Sequence, residues 1–182
     1  VAAVHITQAA SVGICDAREK GRADYVSATD IAAQEACVTV IRENHPDHTI
    51  VAEESDEGDE SGIPSEGPAW IVDPLDGTTN FLHGVPHFAI SIALEERGEI
   101  TAGVIYEPVR DELFWAEKGA GAYLNRRRIR VSSRGQIGDA LLATGIPFDE
   151  SPGKEEFVSI IQPVMELAAG IRRFGSTALD LA

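Results

Sequence analysis

Cysteine is scarce in this chain of 182 residues, which has only Cys15 and Cys37. They lie too far apart for a C-x-x-C motif and are too few for a disulfide framework. Both read as buried free thiols in a reducing compartment. Basic residues are short as well, 15 Lys+Arg against 30 Asp+Glu, which leaves a formal net charge of −15. Such a field repels phosphate backbones and anionic lipid, so binding to nucleic acid or to a membrane surface is not expected. A bound cation would relieve part of it. No run approaches the roughly 20 apolar residues of a membrane span, and no basic stretch followed by an apolar one opens the chain, so no secretory signal is visible. The expectation is a soluble cytoplasmic protein. With 17 Gly, 9 Pro, 43% apolar and 25% charged residues, the composition excludes collagen-like and disordered chains.

The length suits one domain, or a small domain and part of a second. Val1 stands where an initiator Met would, and Thr177-Ala-Leu-Asp-Leu-Ala182 reads as the first turns of an unfinished helix, so the chain is expected to be part of a longer protein. An Ala-rich helix is expected from Val1 to about Arg18, weakened by Gly13. A second follows from Ile31, capped by Thr29 or Asp30 and stopped by Asn44 and Pro46. Short strands are predicted at 49–53 and 69–73, each ending in carboxylates, then at 88–94 and 100–106 around a turn at Arg97-Gly98-Glu99. Further strands fit 112–117 and 121–124, and such close spacing implies a mainly antiparallel sheet. Past Gly138 the rhythm becomes strand (140–144), helix (154–169, with Pro163 placed to kink or break it), strand (171–174) and helix, the start of an α/β unit.

The informative stretch is Trp70-Ile-Val-Asp-Pro-Leu-Asp-Gly-Thr-Thr-Asn-Phe81. Asp73 follows a strand, Pro74 fixes the backbone, Asp76 comes three residues later, and Gly77 lets the chain turn into a helix beginning at Thr78-Thr79. Hard cations such as Mg²⁺ take carboxylate and carbonyl oxygens. Unpaired N–H groups at a helix start suit a phosphate. A metal site touching an anion site fits metal-assisted attack on a phosphate ester, although a simple turn with a capped helix behind it uses the same residue types. Phosphatases with an aspartyl nucleophile separate their two Asp by one residue. Here two intervene, which argues against a phosphoaspartyl mechanism.

Glu53-Glu54-Ser55 followed by Trp70 to Phe81 closely resembles the two central signatures of the inositol monophosphatase family. Asp24-Tyr-Val-Ser-Ala-Thr-Asp30 resembles its upstream segment, Gly103-Val-Ile-Tyr-Glu-Pro108 its middle strand, and Gly175-Ser-Thr-Ala-Leu-Asp-Leu181 its later substrate-side turn. The resemblance implies a layered αβαβα sugar-phosphatase fold, C-terminally truncated. An N-terminal α+β metal-binding domain would cover 1–138, and 139–182 would begin a C-terminal α/β substrate domain. It implies two to three Mg²⁺ ions. Glu53, Asp73 and the carbonyl of Leu75 would hold the first, Asp73 and Asp76 the second, and a third would sit by Glu53. Glu53, Thr78 and Asp30 would be catalytic, with Thr78, hydrogen-bonded to Asp30, taking a proton from the attacking water. Gly77, Thr78, Gly175, Ser176 and Thr177 would bind substrate.

By the same resemblance the substrate is a small phosphorylated polyol, myo-inositol 1-phosphate first. Fructose 1,6-bisphosphate, histidinol phosphate and 3′,5′-bisphosphate nucleotides are the alternatives. A homodimer and lithium inhibition are expected. The family completes its second metal site with an Asp in a Trp-Asp-x-x-Ala-Gly segment beyond Gly175. This chain stops before it, so weak or absent turnover is expected of the 182 residues alone. A rival reading makes the fold a non-catalytic binding protein working through the basic cluster Arg126-Arg127-Arg128 with Arg130, a cluster that a solvated turn also explains. The acids of 53–60 lack calcium-loop spacing and read, apart from Glu53, as a solvated loop. His83 and His87 have zinc-like spacing, but Gly84 and Pro86 interrupt any helix between them, which favours structural roles. Trp70 and Trp115 are expected in the core.

Overall fold

In a computed structural model, the residues described are 6, 17–21, 24–53, 67–147 and 153–182. The predicted first helix therefore lies almost wholly outside the described residues, as do Cys15 and the acids of 54–60. Its end is corrected: Ala17 and Arg18 belong to a strand, β1 (Ala17–Gly21), paired antiparallel with β2 (Asp24–Ser27). Helix α1 (Ala28–Asn44) starts earlier than the capping residues suggested, placing Asp30 in its first turn. Asp30, Ala33, Cys37 and Ile41 recur at helical spacing and form its buried stripe. Burial also pushes the Cys37 thiol above its ordinary range, as suits an inert core thiol.

A seven-stranded sheet follows in the order β3 (Thr49–Ala52), β4 (Pro68–Asp76), β5 (Ala89–Glu96), β6 (Glu99–Glu107), β7 (Glu112–Glu117), β8 (Gly121–Leu124) and β9 (Arg127–Ile129). All neighbours are antiparallel except β3 and β4, which run parallel in the register Thr49–Ala69 to Ala52–Val72. The antiparallel expectation holds because the connections among β5 to β9 are short turns, whereas 53–67 is long enough for a parallel return. One face of the sheet packs on α1 and on α2 (Thr78–Leu82). The core joins Ile6, Ala33, Cys37, Ile41, Val72, Leu75, Phe81, Phe88 and Ile90, with Phe81 and Phe88 edge to face at 5.3 Å.

Trp70 packs at the margin of this core and donates from Nε1 to His48 Nδ1 at 3.0 Å. Trp115 departs from expectation. It is half-buried on the same face as Ile92 and Val104 but beyond the core cluster, stacked on Tyr123 at 4.3 Å, and lines an apolar groove that Ala182 also lines. Beyond the large sheet, a turn of 3₁₀-helix (Ile137–Asp139) leads to β10 (Leu141–Ala143), α3 (Lys154–Leu167), β11 (Gly170–Arg172) and α4 (Thr177–Leu181). Strands β10 and β11 pair in parallel around α3, the expected α/β start. Pro163 does not break α3. Pro163 and Ser159 both face solvent, so water serves the Ser159 carbonyl that loses its helical partner. No helix among the described residues is long and apolar enough to cross a membrane.

Candidate active site

The acids come together through strand register. One residue past the last β3–β4 pair, Ala52–Val72, stand Glu53 and Asp73, and the Glu53 N–H donates to the Val72 carbonyl at 3.2 Å to continue the ladder. Parallel strands carry side chains in step, so the two carboxylates emerge side by side. Asp76 joins them through an irregularity. Residues three apart in a regular strand point to opposite faces. Between β4 and β5, however, Asp73 pairs with Ser91 and Asp76 with Ala89, so three steps on β4 match two on β5. The extra residue is a bulge that returns Asp76 to the face of Asp73. The strand thus runs through both Asp residues rather than ending at Asp73, as the sequence suggested.

This crowding has an electrostatic consequence. Burial, then the charges of Glu53 and Asp76, then a hydrogen bond with Glu53 raise the Asp73 carboxyl to about 8, while the Leu75 N–H, donating to Asp73 Oδ1 at 3.0 Å, opposes the shift. An all-oxygen set of three mutually repelling carboxylates with a backbone carbonyl fits a hard divalent cation. Among the described residues no three His, Cys, Asp or Glu side chains converge on one ion position. The expected sets, two carboxylates with a carbonyl and two carboxylates shared through Asp73, do not require that convergence.

Gly77 turns the chain at φ 95°, and a Cβ there would stand 3.1 Å from the carbonyl oxygens of both His87 and Gly175. Only glycine fits both the backbone and the space. Helix α2 begins immediately after. The Thr78 hydroxyl lies 2.9 Å from the Leu75 carbonyl and 3.2 Å from Asp30 Oδ1, so its single proton has two acceptors. Asp30 is 1% exposed and reaches this position from the first turn of α1.

The other wall of the site comes from β11 and α4. Asp76 accepts from the Ser176 hydroxyl, from the Ala178 N–H at 2.9 Å and from the Thr177 N–H at 3.3 Å. Ser176 is fully buried and also caps α4 at the Leu179 N–H. Its hydroxyl therefore serves Asp76, where the sequence expectation gave it to substrate. Asn80 Nδ2 donates to the carbonyls of His87 at 2.8 Å and Phe174 at 2.7 Å, the second of which ties the segment after β11 to α2. A cavity of about 360 Å³ opens between the walls and gathers Glu53, Asp73, Leu75, Asp76, Gly77, Thr78, Gly175, Ser176 and Thr177. Asp30 stands behind Thr78 rather than in the lining. Thr79, Thr144, Gly145, Ile146, Arg173 and Asp180 also line the cavity and carried no signal in the sequence reading. His83 and His87 are not brought to the carboxylates, and Arg126–Arg130 lie on the β8–β9 hairpin, away from the lining.

The same arrangement is met in known proteins. The chain is 45% identical over 166 residues to the inositol-1-monophosphatase of Caulobacter vibrioides, covering 90% of this chain and 64% of that protein. It is 44% identical over 168 residues to the Nus factor SuhB of Haemophilus influenzae, covering 91% and 61%. The chain thus spans less than two thirds of the length of these curated relatives. The crystal structure of the extragenic suppressor protein suhB from Bartonella henselae superposes with a TM-score of 0.89 at 45% identity, covering 99% of this chain and 68% of that one. The inositol monophosphatase family model matches residues 2–182, and with the carboxylate bulge, the Gly77 turn and the shared fold this establishes that the chain belongs to that family.

Proposed function

We propose that the protein carrying this sequence is a Mg²⁺-dependent phosphomonoesterase of small polyol phosphates, with myo-inositol 1-phosphate as the first substrate to test. The observation that carries this reading is the meeting, in one cavity, of the carboxylates Glu53, Asp73 and Asp76, the start of α2 at Gly77-Thr78, and the Thr78–Asp30 contact. Glu53, Asp73, Asp76 and the Leu75 carbonyl would hold the cations. When bound, Mg²⁺ supplies Lewis-acid polarisation of the ester and charge neutralisation in an otherwise acidic cavity.

The chain's own groups do the rest. The Gly77 and Thr78 N–H groups, unpaired at the start of α2, orient phosphate oxygens. Thr78 accepts a proton from the attacking water as its own passes to Asp30, the farther of its two acceptors but the one able to hold a proton as a carboxyl group. Ser176 and the N–H groups of Thr177 and Ala178 orient Asp76. Lithium sensitivity, a homodimer and a cytoplasmic location belong to the same reading, supported by the family alone. The test is phosphate release from inositol 1-phosphate with and without Mg²⁺. Release that depends on Mg²⁺ supports the reading, and release indifferent to chelation overturns it.

A further inference from the structure

The phosphate end of the cavity accounts for three of its carboxylates and leaves Arg173 and Asp180 on the opposite wall without a task. Among the described residues, Arg173 is the one cationic side chain in that lining. Its guanidinium makes no hydrogen bond or ion pair among the described residues. It folds back over Gly175 instead, with Nη1 2.8 Å from where a Cβ on that residue would stand. Gly175, at φ 92°, thus clears the space the guanidinium occupies. Asp180, inside α4, also lines the cavity. Its Oδ1 is shut off from solvent with no donor to it among the described residues; burial raises the carboxyl above its ordinary range, the nearby charges of His87 and Arg173 oppose that shift, and the charge of Asp76 adds to it.

We infer that Arg173 and Asp180 together recognise adjacent hydroxyl groups on the carbon skeleton of the phosphorylated substrate. The inference rests on the phosphatase reading of the same cavity and adds its selectivity. A carboxylate only accepts and a guanidinium only donates, whereas a hydroxyl does both. Of two neighbouring hydroxyls, one donates to Asp180, by rotation of its carboxyl into the cavity, and the other accepts from Arg173. A second phosphate suits the wall less well, because Asp180 repels it. An alkyl group suits it worse, leaving two charged groups desolvated and unpaired. The wall is also held at a fixed reach from the phosphate end. Asn80 anchors Phe174 next to Arg173, and Ser176 anchors the start of α4 to Asp76.

The test is calorimetric titration of the full-length protein carrying this sequence, in the presence of Mg²⁺, with inositol 1-phosphate, with its analogue lacking the hydroxyls beside the ester, and with ethyl phosphate. Phosphate release is followed in parallel. The unaltered protein is expected to prefer inositol 1-phosphate to ethyl phosphate by about tenfold or more, and Arg173→Gln and Asp180→Asn each to collapse that ratio. Equal affinity of the unaltered protein for all three ligands, or variants that weaken all three in proportion, overturns the inference and leaves the phosphatase reading standing. If the full-length protein carrying this sequence binds and cleaves none of the three, the phosphatase reading falls first. Should a variant fail to fold, the deoxy analogue on the unaltered protein decides: no loss of affinity overturns the inference.

Discussion

At the residue scale the site depends on a few atoms with narrow tolerances. Asp76→Asn in the active protein is expected to lower turnover by orders of magnitude, read as phosphate release, because the amide loses the charge a cation needs. Unchanged release would remove Asp76 from its assigned role. Gly77→Ala places a methyl group 3.1 Å from two carbonyl oxygens on a left-handed backbone. We expect a loss of about 1–3 kcal/mol in stability or more, measured by denaturant unfolding. A variant as stable as the parent would show that the turn relaxes at little cost. Asp73, Asp76, Gly77 and Thr78 were legible in the sequence because their chemistry is packed into six consecutive residues. Asn80, Arg173 and Asp180 were not, because each acquires meaning only from a partner or a cavity wall that the chain reaches far away in sequence.

At the scale of elements, strand β4 does the positioning. Its bulge against β5 sets both Asp side chains on one face, and its parallel pairing with β3 adds Glu53. The sequence reading ended the strand at Asp73, since Pro-Leu-Asp-Gly has the composition of a turn. Pairing with β5 overrode that local preference, and Pro74, which lacks an N–H, falls at the bulge, where the ladder asks for none. Asn80 of helix α2 donates to the carbonyl of His87, just before β5, and to that of Phe174, two residues past β11, so one of its two hydrogen bonds joins α2 to the segment after β11. Asn80→Ala is expected to cost about 1–3 kcal/mol of stability, since it leaves the carbonyls of His87 and Phe174 without their donor. Little change in the unfolding midpoint would mean that water replaces the amide. Ser176, read from sequence as a substrate contact, joins the same seam by bonding Asp76 across 100 residues of chain.

At the scale of the whole molecule, acidity sets the behaviour. Within a chain of net charge −15, burial and then the charges of Glu53 and Asp76 leave Asp73 with a carboxyl raised to about 8, against an ordinary value of 3.8. A carboxyl raised on folding binds its proton more tightly in the native state. Its contribution is fully present at low pH and is lost as pH climbs from about 4 through about 8. With chelator present, the thermal midpoint should therefore fall between about pH 5 and about pH 8. Mg²⁺ favours the ionised site and should shrink or reverse that fall. A midpoint that rises with pH under chelation would contradict the assignment. The sequence by itself determined the family, through the motifs it shares with it, the mainly antiparallel sheet with its α/β continuation, and the Asp73–Thr78 segment on which the candidate site is built. These rest on side-chain periodicity and on residues that act beside their chain neighbours. Only the tertiary structure decided that β4 bulges, that Ser176 serves Asp76, and that Arg173 and Asp180 face the carboxylates across one cavity. Those outcomes depend on which distant strands and helices meet, and local spacing carries no record of that.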